Sequence, residues 1–145
     1  MSDNNGGVVP AYTKDVKLSN MDTLYIFTGK MCSKIRVGDI EYIERDMRKI
    51  TIYTFDNKYE VYETLERVES YLGSKNYFKP LKGIILNFDR IKIVDEEKVS
   101  FESGRTIMFG RNTICKTRNA FRKYIKETIP YSMNHEKLLV AEKRK

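Results

Sequence analysis

The sequence predicts a mainly β domain with short helices and a helix at its C-terminal end. Three observations carry that expectation. Apolar and polar residues alternate with period two through much of residues 24–109, turn-forming residues separate the alternating runs, and helical spacing is confined to a few short stretches. A chain of 145 residues with 41% hydrophobic and 32% charged residues is one domain's worth of material, too little for two substantial cores. Residues 1–20, with Asn4, Asn5, Gly6, Gly7 and Pro10, show no periodicity and are expected to be a flexible leader, with at most a short strand near Val16. The domain is expected over residues 21–128 and a solvated tail over residues 129–145.

Within the domain, Leu24–Thr28 and Lys34–Val37 read as strands around a Gly29-Lys30 turn, the second with a basic outward face. Ile40–Glu44 and Lys49–Thr54 follow, and Asp56-Asn57-Lys58 turns the chain into Tyr59–Tyr62, which makes a hairpin. Thr64 is an N-cap for a short helix carrying Leu65, Val68, Tyr71 and Leu72 on one face and ending at Gly73. Tyr77–Asn87 mixes aromatics, lysines and aliphatics, and periodicity does not decide between strand and helix there. Arg90–Val94, Val99–Glu102 and Thr106–Phe109, joined through Asp95–Lys98 and Ser103-Gly104, form a meander. Gly110 breaks it, Asn112 or Thr113 caps a final helix reaching about Glu127, and Pro130 stops that helix. A helical turn around Leu138-Leu139-Val140 is expected in the tail.

Composition limits the chemistry. No purely apolar run exceeds four residues (Ile84-Ile85-Leu86 has three), far below the ~20 residues of a membrane span, and the polar N-terminus lacks a basic signal region. Cys32 and Cys115 show neither CxxC nor Cys/His spacing, which fits a reduced, cytoplasmic compartment. The one histidine, His135, lies in the tail, so a nucleophile–histidine arrangement is not expected, and no catalytic residue is assigned. Glu41, Glu44 and the Asp95-Glu96-Glu97 group read as solvated charge rather than metal ligands, and no phosphate-binding glycine loop occurs. Neither a metal nor a cofactor is expected.

Charge points to a polyanionic partner. Lys plus Arg number 27 against 20 acids, a net +7, and Arg105, Arg111, Lys116, Arg118, Arg122, Lys123 and Lys126 run without an interposed acid. A second set, Lys75, Lys79, Lys82, Arg90 and Lys92, is opposed by Asp89 alone, and Arg45, Arg48 and Lys49 cluster at a strand-to-strand turn. Gly110–Thr113 combines an arginine with the unpaired N–H groups of a helix start, two devices that bind phosphate. Arg111 and Asn112 are also of the types that pair with guanine and adenine edges in the major groove. Ten Tyr and seven Phe could serve base stacking on a single strand, although most alternate with aliphatics in strand patterns and read as core.

The order of these features resembles the LytTR DNA-binding domain, the output module of LytR/AlgR/AgrA-type bacterial response regulators. The resemblance spans about residues 22–126. Its carriers are Ile35–Glu44, similar to an "I-x-x-x-D-I-x-Y-I-E" opening, the Lys49–Tyr62 hairpin, the Thr64-Leu65 helix start, Tyr77–Asn87, similar to "F-x-R-x-H-x-S-x-x-V-N", and Ile107–Asn112, similar to an "I-x-(V/L)-S-R" end. Leu81 and Gly83 stand where the motif has His and Ser, and Gly110 where it has Ser, so the target sequence is expected to differ. The resemblance implies an elongated antiparallel β fold that reaches duplex DNA through loops and strand ends.

Carried over by position, the DNA-binding candidates are Arg48 and Lys49, Lys82, and Arg111 with Asn112; Lys79 and Lys116 join them from the basic sets. Each has a plainer reading as a solvated charge, a cap or an ion pair. The resemblance further implies a sequence-specific transcription regulator whose partner is double-stranded DNA, with a homodimer on DNA and a regulatory protein as further partners. The polar residues ahead of the domain do not amount to a receiver domain, so a freestanding module is expected. A single-stranded nucleic acid or RNA-binding β module, and a protein-interaction domain, are the alternatives.

Overall fold

The computed structural model describes residues 22–73 and 76–128, together with the strand Gly7–Val8 and Leu139. Every strand pair is antiparallel. The expected mainly β architecture with a C-terminal helix is what the chain adopts.

The first sheet contains β1 (Gly7–Val8), β2 (Thr23–Phe27) and β3 (Cys32–Arg36), in that order. Leu24, Ile26 and Ile35 face inward, while Lys34 and Arg36 form the expected basic outer face. The strand in the leader lies at Gly7–Val8, paired with Ile26 and Phe27; the expected strand near Val16 falls outside the described residues. The central sheet comprises β4 (Ile40–Asp46), β5 (Lys49–Thr54), β6 (Lys58–Val61), β7 (Tyr77–Leu81) and β8 (Ile84–Asn87), in the order β6-β5-β4-β8-β7. Helix α1 (Leu65–Leu72) links β6 to β7. Thr64 caps it by accepting the Arg67 N–H at 3.2 Å, and Gly73 ends it at φ 58°, where a side chain would be strained. The third sheet is the meander β9 (Ile91–Val94), β10 (Lys98–Phe101) and β11 (Thr106–Met108), followed by α2 (Arg111–Thr128). Among the described residues no helix is long and apolar enough to cross a membrane.

Tyr77–Asn87, undecided by periodicity, is a hairpin turning at Lys82-Gly83. Pro80 has no N–H for a ladder, and β7 accommodates it as an edge strand whose register shifts between Phe78 and Leu81. A second shift explains an unusual run in β4. Ile40 pairs with Thr54 and Tyr42 with Tyr53, so Glu41 is an extra residue, a bulge that resets the alternation. Ile40 and Ile43 consequently face one side of the sheet and Tyr42 the other.

Both faces of the central sheet are therefore covered. One face packs Ile40, Ile43, Ile50, Ile52 and Ile85 with the first sheet and with Leu65, Val68 and Leu72 of α1. The other packs Tyr42, Ile84 and Leu86 with Phe88, Ile91, Val99, Phe101 and Ile114. The expectation of too little material for two cores is corrected in this sense: there are two apolar clusters, but they share one sheet.

Candidate nucleic-acid interface

The strand pairings bring two turns side by side. Because β4 runs antiparallel to both β5 and β8, the end of β4 lies next to the start of β8, with Glu44 opposite Ile84. Beyond that pair the Arg45 N–H donates to the Gly83 carbonyl at 2.8 Å, which ties the Met47-Arg48 turn to the Lys82-Gly83 turn. Arg48 and Lys82 are both exposed at this end of the sheet and have no ion-pair partner among the described residues. Lys49 opens β5 and is half-buried; its ammonium is 3.1 Å from Glu60, and this hydrogen-bonded carboxylate raises its pKa. Lys79 lies on the edge strand β7 and is held by Glu69 at 3.2 Å. Arg45, flanking the turn, reaches Glu66 of α1 at 3.9 Å.

The remaining candidates are on α2. The helix starts at Arg111, and the Ile114 N–H bonds the Gly110 carbonyl at 2.9 Å, so the expected caps Asn112 and Thr113 are instead inside the first turn. The preceding Phe109 donates its N–H to the Glu97 carbonyl at 3.1 Å and packs into the second cluster, which fixes the corner. Arg111 and Asn112 are exposed there, beside the N–H groups that a first helical turn leaves unpaired. Lys116 is exposed one turn on, without an ion-pair partner among the described residues. At its other end α2 packs Phe121 and Tyr124 on Phe88, and the Tyr124 hydroxyl donates to Asp89 beyond the end of β8. Thus Lys82, in the turn before β8, and Arg111, at the start of α2, both lie away from that contact. No contact places Arg111 against Arg48 or Lys82.

Several charges expected to be solvated are structural. Glu41 is 0% exposed, and its carboxylate accepts the Ser103 N–H at 2.9 Å, the Ser103 hydroxyl at 2.7 Å and the Arg105 guanidinium at 3.1 Å. The bulge turns this carboxylate toward the third sheet, a placement that strict alternation does not reveal. Arg105 also donates to the Thr54 and Asn57 carbonyls and lies over the Tyr53 ring, so it is withdrawn from the basic focus that the sequence suggested. Arg118 donates to the Asp95 carbonyl at 3.1 Å, and Arg90 to the Gly38 carbonyl at 2.7 Å and to Glu102. Asp95 accepts the Glu97 and Lys98 N–H groups, which lower its pKa. Lys75 and His135 fall outside the described residues.

Most aromatic rings are packed rather than displayed. Tyr42 stacks on Tyr53 and Phe101 with centroids at 4.2 and 4.9 Å, and Phe78, Phe88, Phe121 and Tyr124 form a second group. Phe55 and Tyr62 are the aromatics prominent among exposed large side chains. Among the described residues no group of three or more His, Cys, Asp and Glu is arranged to hold a metal, and Cys32 and Cys115 are free and exposed.

The chain is thus a three-sheet antiparallel β module with two adjacent exposed cationic turns and a basic helix corner. The family model for the LytTr DNA-binding domain matches residues 30–122, and the chain is a member of that family. Among solved structures, it is similar to the LytTr DNA-binding domain of a protein described as a methyl-accepting/DNA response regulator from Bacillus cereus. That match has a TM-score of 0.57 at 14% identity and covers 68% of this chain and 94% of that one. No curated protein matches the sequence.

Proposed function

We propose that this DNA-binding domain is a sequence-specific, non-catalytic transcription regulator of the bacterial cytoplasm. It reads duplex DNA in the major groove with loop side chains and anchors on phosphates with lysine and arginine. The observation that carries the reading is the pair of adjacent turns at one end of the central sheet, where Arg48 and Lys82 are exposed with no ion-pair partner among the described residues. Arg111 and Asn112 supply base contacts from the helix corner, and Lys82 and Lys116 supply phosphate contacts. Lys49 and Lys79 must exchange Glu60 and Glu69 for phosphate, so they add less. The packing of most aromatic rings in the two clusters leaves few for stacking on unpaired bases, which favours a duplex over a single strand.

A duplex selected from a random pool by the full-length chain provides the cognate site. Fluorescence anisotropy across a salt series is expected to show log affinity falling steeply with log salt. Arg111→Ala should lose about 1–3 kcal/mol on the selected duplex and much less on random sequence. Lys116→Ala should weaken both by a similar factor and reduce the salt slope by about 1. Equal losses for Arg111→Ala on the two duplexes defeat the base-reading role, and a flat salt response defeats phosphate anchoring.

A further inference from the structure

Met47 breaks two local rules at one position. It is the first residue of the two-residue turn between Asp46 and Lys49, and its φ of 62° makes it the one non-glycine with a left-handed backbone among the described residues. Such turns favour Asn, Asp or Gly, because a Cβ at positive φ crowds the following carbonyl. Its side chain is also 89% exposed, so the strain is not offset by burial. A long apolar side chain is thus held in water at the apex of a hairpin. Asp46 and Arg48 flank it, Asp46 pairs with Lys49 across the hairpin, and the Lys82 turn lies alongside through the Arg45–Gly83 hydrogen bond.

We infer that Met47 is a specificity-determining residue that packs against a thymine C5 methyl in the major groove of the bound duplex. This rests on the duplex reading proposed above and adds to it the base feature that the turn recognises. The thymine methyl is the apolar group that a base pair presents in the major groove, and apolar side chains make contact with it. Methionine is unbranched and polarizable, so it can follow a methyl without requiring close shape matching. Arg48 and Lys82, without an ion-pair partner among the described residues, have phosphates to engage beside the groove.

The test uses the full chain and the duplex it selects, with deoxyuridine replacing thymidine one position at a time. This removes the methyl and leaves the pairing edge unchanged. Wild-type protein is expected to lose roughly three- to fivefold in affinity at one or two positions, the worth of a single buried methyl. Met47→Asn, whose short amide suits left-handed backbone, should bind the thymidine duplex more weakly and show no loss on deoxyuridine. Its Tm should equal or exceed that of wild type, which separates lost recognition from lost folding. Met47→Leu should retain the discrimination. Equal wild-type affinity for thymidine and deoxyuridine at every position overturns the inference, as does Met47→Asn that still discriminates. Failure of the wild-type chain to bind any duplex is distinguishable from both; it overturns the duplex reading and this inference with it.

Discussion

At the scale of single residues, Glu41 separates what looks polar from what is solvated. A carboxylate out of water costs several kcal/mol unless its oxygens are satisfied, and here both are, by Ser103 and Arg105. The group ties the bulge of β4 to the β10–β11 turn, so removing one member leaves the others stranded. Arg105→Ala should therefore cost about 3 kcal/mol, seen as a lower urea midpoint at unchanged slope. Combining Glu41→Met with Arg105→Met should cost less than the two single changes summed, because neither charge is then left alone. Additive losses would show that the two side chains act independently.

At the scale of elements, the β7–β8 hairpin carries two of the three departures from the motif, Leu81 and Gly83. A Cβ at Gly83 would meet only the Arg45 side chain, at 3.8 to 3.9 Å, an ordinary contact, and its φ is not in the left-handed region. Gly83→Ser is expected to change stability by less than about 0.5 kcal/mol while shifting the sequences recovered in duplex selection; thermal melting and selection check the two halves. Where side chains alternate simply or caps are local, as in β2, β5 and α1 with Thr64 and Gly73, the sequence was sufficient. It was insufficient where one extra residue shifts a strand's phase. Glu41 could not be recognised as buried because the bulge depends on β4's partners, and Pro80 obscured a strand that only its edge position permits. For the site, charge density identified exposed Arg48, Lys82, Arg111 and Lys116, but it also counted Arg90, Arg105 and Arg118, whose carbonyl acceptors are distant in sequence. Met47 carried no signal in composition, since its distinction is a backbone angle.

At the scale of the whole molecule, one sheet supports both clusters. Ile85 and Leu86 are neighbours on β8 but belong to opposite faces. Ile85→Ala and Leu86→Ala should each cost about 2–5 kcal/mol, and each should lower the same single unfolding transition when followed by tyrosine fluorescence and by far-UV circular dichroism. Two resolved transitions would mean that the layers melt separately. A sheet enclosed on both faces also has nowhere to put an inserted or deleted residue within β4 or β8, since a one-step slip would drive Tyr42 or Leu86 into the wrong cluster. The Met47-Arg48 and Lys82-Gly83 turns hang beyond those strands and are exempt from that constraint. Retargeting should accordingly graft these two turns and substitute at the exposed Arg111-Asn112 corner, with the strands that carry them kept intact as a fixed chassis.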